Sequence, residues 1–253
     1  MFQQFFLLSS CILGLNYAAD FEKTAICDGL LEKPGLNILN PMESKTSEKG
    51  STVILQCEFG ATPQATITWF HRGKKIEKHR AANLESLLMK NQIGTSVLLS
   101  KYRIDCLDES TAGEYYCQAT SPCSEPVVST ALVTIDRTKP TENSCKLRRN
   151  ASNSLSPPII TFFTSSRVET PEGVVQLACR AEGNPKPKIN WSFVNEDDSL
   201  TPVDLTLPEY MQLQNGDLLT VADETKVGAP LRCTATNQLG TAYEEAFAFF
   251  MEP

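Results

Sequence analysis

The chain repeats one spacing of two cysteines and a tryptophan. The first copy consists of Cys57, Trp69 and Cys117, and the second consists of Cys179, Trp191 and Cys233. A shift of 122 residues places the first cysteine and the tryptophan of one copy on those of the other. The same shift aligns the alternating apolar residues before each first cysteine, and such alternation puts them on one face of a strand. Two copies of this frame predict two domains of one fold.

Each copy has the pattern of an immunoglobulin sandwich, in which a tryptophan packs against a disulfide that joins two sheets. The pattern predicts the bridges Cys57–Cys117 and Cys179–Cys233. Tyr115 stands two residues before Cys117, where this fold places a tyrosine that bonds to upstream backbone. We therefore predict an all-β chain of two tandem immunoglobulin-like sandwiches. The predicted segments are a cleavable signal peptide at 1–19, an extension at 20–35, a first domain at 36–137, a linker at 138–157 and a second domain at 158–253.

Cysteine content and charge limit the classes of function. The chain has nine cysteines, no Cys-x-x-Cys pair and only two histidines, so no metal or other cofactor is predicted. Once Cys11 is removed with the signal peptide, eight cysteines remain, and this even number indicates disulfides formed in an oxidising compartment. The formal net charge of −7 argues against a nucleic acid partner, because phosphate binding requires a concentrated basic face.

The N-terminus predicts export from the cell. Phe5–Leu15 is an apolar run with the length of a secretory signal sequence, and it is too short to span a bilayer. Ala18 and Ala19 offer small residues for cleavage. The alternatives are a buried first strand and a lipobox at Leu8–Cys11, which lacks the preceding basic residues. No second apolar run of about 18 residues follows, so we expect a secreted, extracellular protein without membrane insertion.

Four cysteines lie outside the repeated frame. They are Cys27, Cys106, Cys123 and Cys145, and three pairings among them are open once the two central bridges are assigned. Strand direction places Cys27 and Cys123 at one end of the first sandwich, and Cys106 and Cys145 at the other. Because a disulfide requires Cα atoms within about 7 Å, we predict the pairs Cys27–Cys123 and Cys106–Cys145.

One hairpin of the first domain concentrates positive charge. The sequence Trp69–Ile76 predicts two strands joined by a turn at Gly73. The basic side chains on and after this hairpin are Arg72, Lys74, Lys75, Lys78 and Arg80, with His71 and His79 beside them. We expect a solvated surface. The alternative is a docking site for a sulfated glycan or an acidic partner.

The predicted linker combines a glycan acceptor with a basic sequence. Asn150 begins an Asn-x-Ser sequence in an exposed setting. A second such sequence begins at Asn190, which should point outward from a strand because Trp191 points inward. We expect a simple polar linker here, and the alternative is a dibasic processing site, which Lys146–Arg149 resembles. If the bridge Cys106–Cys145 forms, cleavage after Arg149 is expected to free the second domain.

The second domain carries Cys-x3-Gly-x-Pro-x-Pro-x-Ile-x-Trp and then Cys-x-Ala-x-Asn-x-x-Gly. These sequences resemble the intermediate (I-set) class of immunoglobulin domains in animal adhesion and axon-guidance proteins. Two such domains after a signal peptide resemble the zwei-Ig family of nematodes, whose members act in the nervous system, several of them in holding axons and cell bodies in position. The resemblance implies a secreted adhesion protein that binds a cell-surface or matrix protein.

The same two-domain architecture occurs in insect proteins that sequester insulin-like peptides, so the alternative function is a soluble peptide trap. The chain contains no Gly-x-Ser-x-Gly, His-Glu-x-x-His, P-loop or dinucleotide-binding sequence, and we predict no enzyme activity. Every aromatic side chain that can be placed on a predicted strand is expected in a core. Both histidines are expected in solvent.

Overall fold

The computed structural model describes residues 27–79, 94–138, 145, 155–171, 174–221 and 228–251. The predicted signal peptide, Arg80, Lys146–Arg149 and Asn150 lie outside these ranges, as do the side chains of Lys78 and His79. Within the described ranges the regular elements are β-strands, which confirms the all-β class.

In the described residues, eight strands build the first sandwich. They are β1 (Gly35–Asn40), β2 (Lys45–Glu48), β3 (Val53–Thr62), β4 (Thr66–His71), β5 (Lys74–His79), β6 (Ser96–Ile104), β7 (Gly113–Ser121) and β8 (Ser124–Asp136). One sheet has the order β2, β8, β7, β4 and β5, and β1, β3 and β6 lie in the other. Arg72 and Gly73 join β4 to β5 with φ angles of 49° and 72°, as a two-residue hairpin turn requires.

Nine strands follow in the part of the second half that the structure describes. They are β9 (Ser156–Glu169), β10 (Val174–Leu177), β11 (Cys179–Asn184), β12 (Lys188–Val194), β13 (Leu200–Pro202), β14 (Tyr210–Gln212), β15 (Leu218–Val221), β16 (Leu231–Asn237) and β17 (Gly240–Phe250). β10, β15 and β14 form a small sheet, and β17, β16, β12 and β13 are successive neighbours in a larger one. β9 begins two residues before the predicted domain start at 158.

Each sandwich closes around a tryptophan and a disulfide. The bridges Cys57–Cys117 and Cys179–Cys233 have Cα separations of 6.6 and 6.5 Å, and the side chains of Trp69 and Trp191 are buried. Trp69 Nε1 donates to a serine hydroxyl on β6 at 2.8 Å, and Trp191 Nε1 donates to the carbonyl oxygen of Gly216 at 2.9 Å. These bonds matter because a buried N–H without an acceptor costs free energy.

Tyr115 and His71 pack together at one corner of the first sandwich. The Tyr115 hydroxyl donates to the carbonyl oxygen of Thr111 at 2.6 Å, and its ring stacks on the His71 ring with centroids 4.3 Å apart. Burial raises the pKa of Tyr115 and lowers the pKa of His71. The prediction that His71 lies in solvent is therefore wrong, because its position on β4 points its ring at the corner tyrosine.

The other two disulfides join Cys27 to Cys123 and Cys106 to Cys145, with Cα separations of 5.5 and 5.6 Å. The first ties the N-terminal extension to the loop between β7 and β8. The second ties the chain that follows β8 to the end of β6. Both bridges lie within the first half of the molecule, so they clamp its two flanking segments without crossing to the second sandwich.

The two sandwiches share a sheet. β9 pairs with β6 of the first sandwich through residues 162–167. On its other edge it pairs with β11 through residues 156–163 and with β17 through residues 166–169. The result is a sheet of nine strands with the path β1, β3, β6, β9, β17, β16, β12 and β13, in which β11 branches from β9. The domains are thus joined by strand pairing as well as by a linker.

β9 can hold this position because both of its faces are apolar. Its residues 159–164 are all buried. On a strand with one solvent-exposed face, buried and exposed residues would alternate. Phe162 belongs to the core around Trp69, and Phe163 belongs to the core around Trp191. Adjacent residues of one strand therefore anchor two different cores.

Polar contacts add to the junction. Lys101 of β6 pairs with Glu244 of β17, with Nζ and Oε1 2.5 Å apart. Arg103 of β6 donates to the carbonyl oxygen of Pro157 at 3.2 Å. Cleavage of the linker would leave these contacts and the β6–β9 pairing in place, so they argue against release of the second domain by cleavage.

We expect a chain cut after Arg149 to behave as one particle. No disulfide among the described cysteines joins the two pieces, so they would be held by noncovalent contacts, chiefly the β6–β9 pairing and the contacts of Lys101 and Arg103. A protease site inserted at Arg149 allows the cut to be made on the folded protein. The pieces should elute together in gel filtration and separate on a non-reducing denaturing gel.

The C-terminal piece, residues 150–253, produced alone is the control for this experiment. Produced alone, residues 150–253 would expose the β6-facing edge of β9 and the Phe162 side chain, and unpaired apolar edges promote aggregation. Two pieces that elute apart after the cut, each folded, would contradict the shared sheet.

Candidate interaction surface

The outward face of β17 carries a row of exposed apolar side chains. Tyr243, Phe247 and Phe249 are 58%, 39% and 38% exposed, and Met251 follows at 55%. The rings of Phe247 and Phe249 are stacked, with centroids 6.3 Å apart and planes 9° apart. We call Tyr243, Phe247, Phe249 and Met251 the β17 row.

The β17 row is exposed because β17 alternates. Ala246 is buried in the second core, and Ala242 and Ala248 pack against it, so the residues between these alanines point away from it. The prediction that every aromatic on a strand lies in a core is therefore wrong for Tyr243, Phe247 and Phe249. The signal in the sequence was alanine at three inward positions, 242, 246 and 248, with large residues between and after them.

Arg232 of β16 completes this face. Its guanidinium lies 4.6 Å from the centre of the Tyr243 ring, a cation–π geometry. Its Nε and one terminal nitrogen donate to Glu245 Oε1 at 2.9 and 2.5 Å. Arg232 is thereby held flat against the sheet, and the face presents a fixed mixture of aromatic and paired charged groups.

Asn190 shares the sheet of the β17 row. It pairs with Thr234, which in turn pairs with Tyr243, and its side chain is exposed. A glycan on Asn190 would therefore lie two strands away from the aromatic row. Its glycosylation and that of Asn150 stay predictions.

Positive charge on the basic hairpin is less concentrated in the structure than the sequence suggests. One terminal nitrogen of Arg72 donates to the carbonyl oxygens of Glu109 and Ala112 at 2.6 and 3.0 Å, so this guanidinium fixes the corner beside Tyr115. Lys74 and Lys75 are exposed. Docking of a sulfated glycan here stays a prediction that the related proteins do not support.

A cavity of roughly 610 Å³ opens beside the domain junction, with Tyr102, Arg103 and Asp105 in its wall. Arg103 Nε and Asp105 Oδ1 are 2.7 Å apart, and Arg103 also holds Pro157 at the start of β9. The charged groups of Arg103 and Asp105 are therefore already paired within the chain. The β17 row fits a protein partner better, because its large side chains project from a rigid strand.

The strands and the paired disulfides define a chain of two immunoglobulin-like sandwiches. Residues 33–121 match the family model described as an immunoglobulin domain. Most of the chain resembles two zwei-Ig proteins. It is 29% identical to zwei Ig domain protein zig-3 of Caenorhabditis elegans, over 87% of this chain and 82% of that protein. It is also 29% identical to zig-4 of the same organism, over 85% and 79%.

A solved structure shows the same fold over both domains. The crystal structure of neural ectodermal development factor IMP-L2 aligns with a TM-score of 0.65, covering 87% of this chain and 96% of that chain. At 18% identity the likeness concerns the fold alone. Within the described ranges, no helix of this chain has the length and apolar character of a membrane span.

Proposed function

We propose that this protein is secreted, has no enzyme activity, and binds a cell-surface or matrix protein of the nervous system, helping to keep axons and neurons in position. The observation that carries the binding role is the β17 row, with Arg232 beside it. Aromatic and arginine side chains dominate the binding energy of protein interfaces. The neuronal role rests on the similarity to zig-3 and zig-4.

The rigidity of this surface supports the proposal. β17 pairs with β16 along seven residues and with β9 along four, so little backbone order has to be gained on binding. The stacked Phe247 and Phe249 rings and the Tyr243 ring under Arg232 are already held in one arrangement. Pre-ordered side chains lose less conformational entropy when a partner docks.

A binding screen against a library of extracellular domains tests the proposal. The variants Tyr243→Ala and Phe247→Ala should each weaken binding to the captured partner on the order of tenfold or more. Leu205→Ala is the matched control, because Leu205 is 48% exposed but lies outside β17. Equal affinity of all three variants and the parent would show that the partner binds elsewhere.

The second candidate is a soluble trap for an insulin-like peptide. The observation that favours it is again the β17 row, since a flat aromatic face can take a small compact peptide as well as a larger domain. Capture from extracellular fluid separates the two functions. Recovery of a small cystine-rich peptide supports the trap, and recovery of a membrane ectodomain supports adhesion.

A further inference from the structure

β17 is paired on both edges along only part of its length. β9 pairs with residues 247–250 of β17, whereas β16 pairs with residues 240–246 on the other edge. Among the strands that the structure describes, none pairs with residues 240–246 on the edge that β9 occupies further along. We call this edge, at residues 241–245, the open edge of β17. It runs beside Tyr243, the first member of the β17 row.

The direction of the backbone groups on the open edge follows from the pairing with β9. Directly after β17, the N–H of Met251 donates to the carbonyl oxygen of Glu169 on β9 at 2.8 Å. Alternate residues of a strand direct their N–H and C=O groups to the same edge, and the β16–β17 register has no shift. The backbone groups of Thr241, Tyr243 and Glu245 therefore point to the open edge, and those of the intervening residues point to β16.

The open edge lacks the features by which proteins protect an edge strand, which are short length, lysine or proline residues and bulges. Residues 241–245 contain no lysine and no proline. The strands that end the described sheets are each protected in one of these ways. β2, β10, β13 and β14 have three or four residues, β1 and β11 have register shifts, and β5 carries lysines.

The equivalent strand of the first sandwich does not leave such an edge. β8 follows the strand of Cys117 as β17 follows the strand of Cys233, and β2 pairs with only its last four residues. On the rest of β8, Pro126 lacks an N–H, and the N–H of Leu132 donates to the Ser44 hydroxyl at 3.0 Å. The comparison within one chain therefore singles out β17.

The side chains beside the open edge define the chemistry of the segment that it would take. Tyr243 is 58% exposed on this stretch, so a residue opposite it in an added strand would lie against its ring. The two glutamates of the stretch are already paired, Glu244 with Lys101 and Glu245 with Arg232. An apolar, uncharged segment therefore fits the edge better than a charged one.

We propose that the protein partner of the β17 row adds an extended segment to the open edge of β17, as a strand that extends the sheet. The segment has about five residues, lies about 4.8 Å from β17 and sets an apolar side chain against Tyr243. Backbone hydrogen bonds supply the affinity in this mode of binding, and alternate side chains supply the specificity. This inference rests on the proposed function and states the conformation and chemistry of the partner's segment.

Amide hydrogen exchange, resolved by residue with NMR, tests whether the edge is open in the mature chain. The N–H groups of Tyr243 and Glu245 should exchange at least about tenfold faster than those of Ala242 and Glu244, which point to β16. Equal protection of all four would overturn the proposal, because the edge would already be covered. This measurement needs no partner, so it is independent of the proposed function.

A proline at position 241 tests the binding mode with the extracellular domain captured in the library screen. Thr241→Pro removes an N–H from the open edge and leaves the N–H groups that face β16, so binding should weaken roughly tenfold or more. Thr241→Ala is the matched control, because it keeps the N–H, and its affinity should stay within about twofold of the parent. In the parent complex, the N–H groups of Tyr243 and Glu245 should become slow to exchange, a readout that does not depend on the folding of Thr241→Pro.

The outcomes separate this inference from the proposed function. If Tyr243→Ala weakens binding while Thr241→Pro does not, and both N–H groups stay fast in the complex, the β17 row binds through side chains alone and strand addition is wrong. If neither variant changes binding, the partner docks elsewhere, and the proposed role of the β17 row fails as well.

Discussion

Replacing Gly94 with alanine is expected to break the junction between the two sandwiches. A Cβ atom on Gly94 would lie 1.9 Å from the carbonyl oxygen of Val168 and 2.8 Å from its carbonyl carbon. Both atoms belong to the backbone of β9, so no side-chain rotation relieves the clash. The strands would have to move apart just before β6 and β9 begin to pair. Overpacking of this kind costs on the order of 3 kcal/mol or more of unfolding free energy.

Gly60→Ala is the matched control for this variant. Gly60 lies in the same sheet on β3, and the nearest atoms to a Cβ there would be those of the Leu39 side chain at 3.6–3.7 Å, which is ordinary contact. Urea unfolding should show a large loss of stability for Gly94→Ala and little change for Gly60→Ala. Equal stabilities would mean that β6 and β9 do not approach so closely in solution.

Removing either member of the buried Arg167–Glu169 pair is expected to destabilise the protein by about 3–5 kcal/mol, because the remaining charge is left buried without its partner. A terminal nitrogen of Arg167 lies 2.7 Å from Glu169 Oε2, and both side chains are fully buried. Glu169 also accepts from the backbone N–H of Gly94 and Thr170 at 3.3 and 3.2 Å. The pair lies where β6, β9 and β17 meet.

A double-mutant cycle measures this coupling by urea unfolding. Arg167→Met and Glu169→Leu should each be strongly destabilised, and the double variant should be more stable than either, since it removes both charges from the interior. The exposed pair of Lys49 and Glu109, also 2.7 Å apart, is the control. Glu109→Ala should change stability little, because solvent screens this pair. Additive losses at Arg167 and Glu169 would show that the two charges do not depend on each other.

The repeated frame of cysteines and tryptophan was sufficient to predict both cores. Cys179 and Trp191 stand in a local alternation that only a half-buried strand satisfies, so their inward direction follows from neighbouring residues. Strand direction also leads to the pairs Cys27–Cys123 and Cys106–Cys145 that the structure contains, because each element reverses the chain from one end of the sandwich to the other.

The shared sheet could not be predicted in the same way. Ile159–Thr164 has four large apolar residues, two threonines and no charge, which is consistent with any strand buried on both faces. The sequence does not say that one face would meet a core more than 90 residues earlier in the chain, around Trp69. The importance of Gly94 was hidden for the same reason, since its close approach to Val168 exists only after β6 and β9 have paired.

The sequence by itself determined that this chain forms two disulfide-centred sandwiches of the immunoglobulin kind, because periodicity, turn residues and cysteine spacing are local properties. Only the tertiary structure decided that β9 joins both sandwiches and that Tyr243, Phe247 and Phe249 face solvent. Those outcomes depend on which strand edges and faces meet after folding, and residues far apart in the chain settle that by packing and hydrogen bonding together.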